Sequence, residues 1–492
     1  MDLQRKTVSG VVWLLFARFG QQLTSLAVLF VLARLLAPES FGLFALAGVF
    51  TRLAMLLISS GLTSAIVQRE ALEELHLDTA FWINFLLAII LMVLLISSSG
   101  FIAEYFGEPL LSPVVKWLSV TILLGGLSQV QTQILSRHMS FDSLSKRLLI
   151  AAPISGIIGV TAAFSGFGVW SLVIRDLSFQ LVMLVVLWRV SPWRPGLGVS
   201  LSHARELFSF GVSQMGSNVV RFLRTQGIVL VIGSLLGSTA LGYYHLASRL
   251  YTVLFDTVSQ SITRVAWSLF SRLQSRLPEL KQALFSVIRF STILSWPLFL
   301  GLCVTSTVLI PVAFGEAWRP SVPVLQALSI AALLQSMISP LSSLFLALGK
   351  PELRLQLWSL ETVIGLTGSL LAVRWGVGAV AWALVVGAAV VVPLFFRHAR
   401  KLIGLDFKVY LAGVWPAATA ALVMASCVYV AVIYLSEIVS PLVTLVACLA
   451  LGGLVYALVL FSLDRSVIAD IRKLATLLKP AHEPAVADGS KH

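Results

Sequence analysis

The residues of this chain that could do chemistry sit where charge is most costly. The segment "SQMGSNVVRFLRTQG" (213–227) interrupts a long apolar run with Gln214, Ser217, Asn218, Arg221, Arg224 and Thr225. These positions step by three or four, so a helix carries them on one face. A second stripe follows at the same spacing, made by His245, Arg249, Thr252, Asp256 and Ser259. Sparser stripes stand nearer the N-terminus: Arg18, Gln21, Gln22 and Ser25, then Arg52 and Ser59.

A lipid-facing arginine at mid-bilayer costs about 2.5–3.5 kcal/mol, so Arg18, Arg52, Arg221, Arg224 and Arg249 together would cost on the order of 12–17 kcal/mol. That rivals the stability of a whole protein. The five must therefore face a polar interior. Asp256, and Glu361 further along, supply fewer negative charges than these cations require, and an anionic ligand would supply the remainder. Guanidinium suits phosphate because its planar fork bonds two oxygens at once. The plainer alternative makes these arginines glue between packed helices, bonded to backbone carbonyls. Their concentration on stripes favours a water-filled cationic cavity, with Gln21, Gln22, Gln214, Asn218, His245 and Thr252 as polar lining. Asp256 and Glu361 are candidate proton or sodium sites.

The elements that must hold these stripes follow from composition. With 58% hydrophobic and 12% charged residues and a mean hydropathy of +0.95, this is not a soluble globular chain. Apolar stretches of about 20 residues recur along it, each long enough to cross a bilayer as a helix. The period-two alternation of a membrane barrel is absent. The class is an all-α polytopic membrane protein with about fourteen spans. They fall near 8–34, 40–65, 78–103, 111–135, 144–165, 168–189, 206–236, 239–264, 281–311, 320–348, 352–374, 376–397, 408–436 and 440–462. Residues 464–480 read as an amphipathic helix on the membrane surface, and 481–492 as a disordered tail.

Lysine and arginine gather at the N-terminus and in the even-numbered connections, among them Arg137, Arg194, Arg205, Arg272, Lys350, Arg354 and Arg400, with roughly a five-to-one bias over the odd ones. Both termini are thereby expected in the cytoplasm. The same bias accounts for the net charge of +13 without nucleic acid. Cys303, Cys427 and Cys448 lie in apolar runs and suggest neither a disulfide framework nor a metal site. Trp82, Trp117, Trp318 and Trp415 near span ends read as interfacial anchors, and Asp78 as a solvated helix-end charge. Gln129, Gln131 and Gln133 suit either a sugar path or helix packing.

The chain also matches itself at a shift near 200. "ARLLAPESFGLFALA" (33–47) aligns with "GSLLGSTALGYYHLA" (233–247), sharing Gly42/Gly242, Leu46/Leu246 and Ala47/Ala247. "FGEP" (106–109) answers "FGEA" (314–317), and "GFG" (166–168) answers "GVG" (376–378). Two six-helix lobes of like orientation are expected, with two C-terminal helices appended. This is the parallel repeat that transporters build around a central site. The expected divisions are an N-lobe at 1–190, a cytoplasmic linker at 191–205, a C-lobe at 206–400 and the last two spans at 401–463.

The stretch "LARLLAPESFGLFALAGVFTRLAMLLISSGLTSAIVQRE" (32–70), with "FGVWSLVIRDL", "LGYYHLASRLY" and "LGKPELRLQL" further on, resembles the polysaccharide transporter family of the MATE/MOP exporter superfamily. The resemblance implies a V-shaped cavity between lobes and alternating access. It implies flipping of an undecaprenyl-pyrophosphate-linked oligosaccharide across the bacterial cytoplasmic membrane, for exopolysaccharide, O-antigen or capsule. No catalytic residue and no cofactor are implied, although a proton gradient, sodium gradient or membrane potential can drive such transport. The partners it implies are the lipid-linked glycan, the bilayer, and the polymerase and glycosyltransferases of the same pathway. Rival readings are a peptidoglycan-precursor flippase or a multidrug antiporter of the same superfamily. From a different class comes a membrane glycan polymerase or ligase, against which the short outward connections argue.

Overall fold

In a bilayer a backbone must satisfy its own hydrogen bonds, and apolar runs of this length do so as helices. The computed structural model describes residues 2–60, 66, 73–138 and 141–464, with backbone alone at 2–18, 60, 141–144, 207–215, 217, 260, 261 and 264. Fourteen long helices follow in order among these residues. They are α1 (Asp2–Leu35), α2 (Pro38–Ser60), α3 (Glu74–Phe106), α4 (Leu111–Arg137), α5 (Phe141–Phe164), α6 (Val169–Val190) and α7 (Leu201–Leu235). Then come α8 (Gly237–Leu273), α9 (Leu277–Phe314), α10 (Val322–Ala347), α11 (Pro351–Ala372), α12 (Val377–Ile403), α13 (Phe407–Ile438) and α14 (Pro441–Leu463).

Twelve of them are long and apolar enough to cross a membrane, and the chain is a multi-pass membrane protein. Of the other two, α1 has described side chains only over Phe19–Leu35, an apolar stretch, and α8 carries the stripe of His245, Arg249 and Asp256, which lowers its hydropathy. Residues beyond Asp464 lie outside the described residues, and with them the expected surface helix and tail.

Several helices overrun their expected limits, α7, α8 and α9 among them. The sequence pattern ends the eighth span at 264, but α8 continues to Leu273, and α9 begins at Leu277 rather than 281. At 1.5 Å per residue the 37 residues of α8 reach about 55 Å, well beyond a hydrocarbon core of about 30 Å. The overrun is held by packing: Ala266, Phe270, Leu280 and Leu284 are all fully buried, in one cluster with Phe345 and Phe395. Likewise α7 starts at Leu201, so the expected linker 191–205 is helical over its last residues.

The linker that remains is pinned to α3. Gly196 N donates to Asp78 Oδ1 (2.9 Å), Trp82 Nε1 donates to Gly196 O (2.7 Å), and Ser200 N donates to Thr79 Oγ1 (3.0 Å). Asp78 is thus a tether rather than the solvated charge expected of it. A Cβ at Gly196 would stand 2.6 Å from Asp78 Oδ2, which explains the glycine.

One pattern of helix pairing recurs six helices further along. In the first six helices α1 packs on α5, α2 on α4, α3 on α4, α4 on α6 and α5 on α6. Six helices later α7 packs on α11, α8 on α10, α9 on α10, α10 on α12 and α11 on α12. Between the two sets the dominant contact is α2 with α8. There the repeat-equivalent glycines meet the opposite helix: a Cβ at Gly42 would lie 1.7 Å from Ser238 O, and one at Gly242 1.9 Å from Pro38 O. Small residues let two backbones approach closely in lipid, and here each repeat supplies one.

The same end of the molecule is fastened by Arg34, which donates through Nε to Ala313 O (2.8 Å) and through its terminal nitrogen to Val312 O. Trp318 is 1% exposed, donates from Nε1 to Ala33 O (2.7 Å) and packs edge-on to Phe41. It is a core residue and not the interfacial anchor expected. Its indole has a carbonyl to satisfy it, whereas Trp117 and Trp415 are 57% and 58% exposed. Gln131 is fully buried within α4 and lines no path.

Candidate functional site

A cavity of about 930 Å³ lies against α7, α8, α10, α11 and α12, with Arg52 of α2 closing it from the other set of helices. Every striped position of α7 and α8 from Asn218 to Asp256 contributes to its wall: Asn218, Arg221, Arg224, Thr225, His245, Arg249, Thr252 and Asp256. Glu361 on α11 joins them. The side chains of Arg18, Gln214 and Ser217 lie outside those described. Gln21 and Gln22 do not line the cavity, so the first repeat contributes less wall than its stripe suggests. Gln22 instead meets α8, where Thr257 Oγ1 donates to Gln22 Oε1 at 2.9 Å.

Each guanidinium is held by a local partner. Arg52 Nε donates to Gln226 Oε1 (3.0 Å) across to α7, and its terminal nitrogen donates to Ala45 O (3.2 Å). Space for that fold-back comes from Gly48, where a Cβ would stand 2.8 Å from the Arg52 terminal nitrogen. Arg221 donates to Asn218 Oδ1 (2.7 Å), one turn away. Arg249 reaches α1 and donates to Ser25 Oγ (2.9 Å). Arg224 is paired with Glu361 at 3.3 Å. Gln335 Nε2 donates to the same Glu361 Oε1 at 2.5 Å, while Oε2 is buried with no hydrogen-bond partner among the described residues.

Sequence reasoning missed Arg354. It stands in the first turn of α11 after Pro351, where charge-counting assigns it to a cytoplasmic connection. The structure turns it inward, its guanidinium 3.8 Å from the Trp358 ring centroid, with Arg224 5.0 Å from the same ring. An aromatic face holds a cation without neutralising it. The signal was present in the Arg354/Trp358 spacing of four, which places both on one helix face. The cavity wall thus carries five guanidinium groups, from Arg52, Arg221, Arg224, Arg249 and Arg354, against the carboxylates of Asp256 and Glu361. Behind it Asp176 interacts electrostatically with both Arg52 and Arg175, and that extra pair leaves the surplus of three unchanged.

A model of the polysaccharide biosynthesis protein family matches residues 31–323, more than half of the chain. The chain belongs to that family. The chain is 27% identical to the succinoglycan biosynthesis transport protein ExoT of Rhizobium meliloti, over 98% of each chain. It is 26% identical to the lipopolysaccharide biosynthesis protein WzxC of Escherichia coli, over 84% of this chain and 85% of the other. Its fold is that of the lipid II flippase MurJ in an inward closed conformation, with a TM-score of 0.77 at 16% identity, covering 93% of this chain and all of that one.

The Arg224–Glu361 pair gives the protein a measurable stability signature. Removing one partner of a buried pair costs about 3–5 kcal/mol. The lower end applies here, because the Arg224 side chain keeps 28% of its exposure. Glu361→Leu is expected to lower the thermal midpoint in detergent, and the Arg224→Met/Glu361→Leu double variant to regain most of the loss. Additive losses in the two single variants would show that the pair is not coupled.

Proposed function

We propose that this protein flips an undecaprenyl-pyrophosphate-linked oligosaccharide across the bacterial cytoplasmic membrane by alternating access, in exopolysaccharide, O-antigen or capsule synthesis. The observation that carries the reading is the surplus of guanidinium over carboxylate in one enclosed wall. A pyrophosphate headgroup enters the bilayer interior only if its charge is offset there, and this wall offers forks for its oxygens. The glycan occupies the wet volume beside Asn218, Thr225 and Gln335 while the lipid tail stays among acyl chains. In this reading all fourteen helices cross the membrane and both termini face the cytoplasm. Residues 1–190 and 206–400 act as two lobes that rock about the cavity.

An inside-negative potential favours outward movement of an anion by about 2.3 kcal/mol per charge per 100 mV. Potential alone therefore suffices as a driving force. Asp256 and Glu361 are the positions for a coupled proton or sodium ion. A multidrug antiporter that carries cations would need the opposite wall charge. A peptidoglycan-precursor flippase shares the charge requirement, and only the substrate separates the two readings.

The test is leaflet-to-leaflet movement in proteoliposomes, with an undecaprenyl-pyrophosphate oligosaccharide and a lipid-linked peptidoglycan precursor as parallel substrates. Movement of the first, faster with an imposed inside-negative potential, is the expected result. Movement of the second alone would replace this reading with the peptidoglycan one, and movement of neither would end both.

A further inference from the structure

Away from the cavity, two short histidine–glutamate pairs meet at the starts of α3 and α7. Glu73 and His76 are three residues apart, as are His203 and Glu206, so each pair occupies one turn at a helix beginning. The two imidazoles touch edge-to-face with centroids 4.1 Å apart. The pairs are crossed: His203 Nε2 lies 3.5 Å from Glu73 Oε2, and His76 Nε2 lies 3.8 Å from Glu206 Oε2. One ligand atom from each of Glu73, His76 and His203 falls within 4.8 Å of the others. His76 is 2% exposed, so one of the donors is already taken out of water.

We infer that Glu73, His76 and His203, with Glu206 as the fourth donor, form a binding site for a zinc-class divalent cation that clasps α3 to α7. Two imidazoles and carboxylates are a donor set that such ions take, at about 2.0–2.2 Å per ligand. The orienting contact of His203 fits as it stands, whereas that of His76 must be given up. His203 Nδ1 lies 2.6 Å from Ser200 Oγ, which leaves Nε2 to face the other donors. A metal-bound histidine is commonly steered in this way through its second nitrogen. His76 Nδ1 accepts the Glu73 N–H at 3.3 Å. Ligation through its Nε2 exchanges that long contact for a metal bond and places the ring proton on Nδ1.

The two helices that the ion would join belong to different repeats. Bound metal would therefore hold α3 and α7 at a fixed separation, on the face that the positive charge bias assigns to the cytoplasm. Nothing along the chain announces such a site, because the two pairs lie far apart and match no single-segment metal motif.

Equilibrium dialysis of the tag-free, full-length protein in detergent with Zn²⁺ tests the inference. One ion per chain is expected, together with a rise in thermal midpoint. Ser200→Ala removes the orienting partner, together with an exposed contact to Ser202 Oγ, and should weaken binding by about 10- to 100-fold. His203→Gln should weaken it by more, and both variants should melt with the parent when Zn²⁺ is absent. Cobalt substitution should give the visible absorption of a four-coordinate site, lost in His203→Gln. Equal zinc affinity in the parent and in His203→Gln would overturn the site, as would a stoichiometry unaffected by His76→Ala. None of these readouts depends on what the protein transports.

Discussion

The double variant Arg221→Ala/Arg224→Ala is expected to abolish most transport while the protein still folds, with a lower thermal midpoint because Glu361 loses its ion-pair partner. Both guanidinium groups line the cavity, on consecutive turns of α7. A hydrogen bond to a charged group contributes about 1.5–3 kcal/mol, so losing one from each arginine removes about 3–6 kcal/mol of headgroup binding. At 1.4 kcal/mol per decade this is roughly 10²- to 10⁴-fold in affinity. Lysine at both positions keeps the charge but not the fork, and should recover only part of the activity. The decisive measurement is initial flipping rate in proteoliposomes at fixed substrate, with reconstituted protein matched by quantity. A double variant that transports like the parent would separate the arginines from the headgroup and leave them as helix glue.

The second large effect lies at the crossing of α2 and α8. At Gly42 an added methyl would overlap Ser238 O at 1.7 Å, and at Gly242 it would overlap Pro38 O at 1.9 Å. Neither neighbour is a side chain that can swing away; both are backbone carbonyls, so the helices themselves must part. Overpacking of a core typically costs about 1–3 kcal/mol and occasionally more. A clash with main chain belongs at the top of that range. Gly42→Ala and Gly242→Ala are expected to lower the thermal midpoint sharply and to lose transport. Gly100 and Gly453, also within helices, have open space where a methyl would stand. They should tolerate alanine or gain from it, since glycine costs about 1 kcal/mol in a helix interior. Equal tolerance at all four positions would show that the crossing has room to spare.

The helices and the cationic wall could be read from the chain because both rest on strong local signals. An apolar run of twenty residues has one stable form in lipid, and arginines at three- and four-residue spacing have one face. Exceptions arose wherever a distant segment decided the outcome. Trp318 looks like an interfacial anchor until Ala33 supplies a carbonyl for its indole. Asp78 looks solvated until Gly196 arrives from the linker. Arg354 follows a proline at a helix start and counts as a loop charge; only the proximity of Trp358 and the α7 arginines reveals it as cavity wall. Conversely Gln21 and Gln22 share the stripe of Arg18 yet stay out of the cavity, because α1 turns toward α8 at that level. The overrun of α8 and α9 depends on Phe270 and Leu284 finding Phe345 and Phe395, a tertiary contact that no window along the chain can see.

The crossing of α2 and α8 also has a symmetry of its own. Gly42 approaches the carbonyl of residue 238 while Gly242 approaches that of residue 38, so the two contacts are one contact made twice. Reciprocity of this kind is the mark of an isologous interface, in which a single surface meets its own copy. Because the same pair of positions is used in both directions, the crossing is held by a symmetric pair of contacts, whatever the residues elsewhere on the two helices. Four of the five cavity arginines stand in the second set of helices and one in the first, an asymmetry that the crossing leaves free.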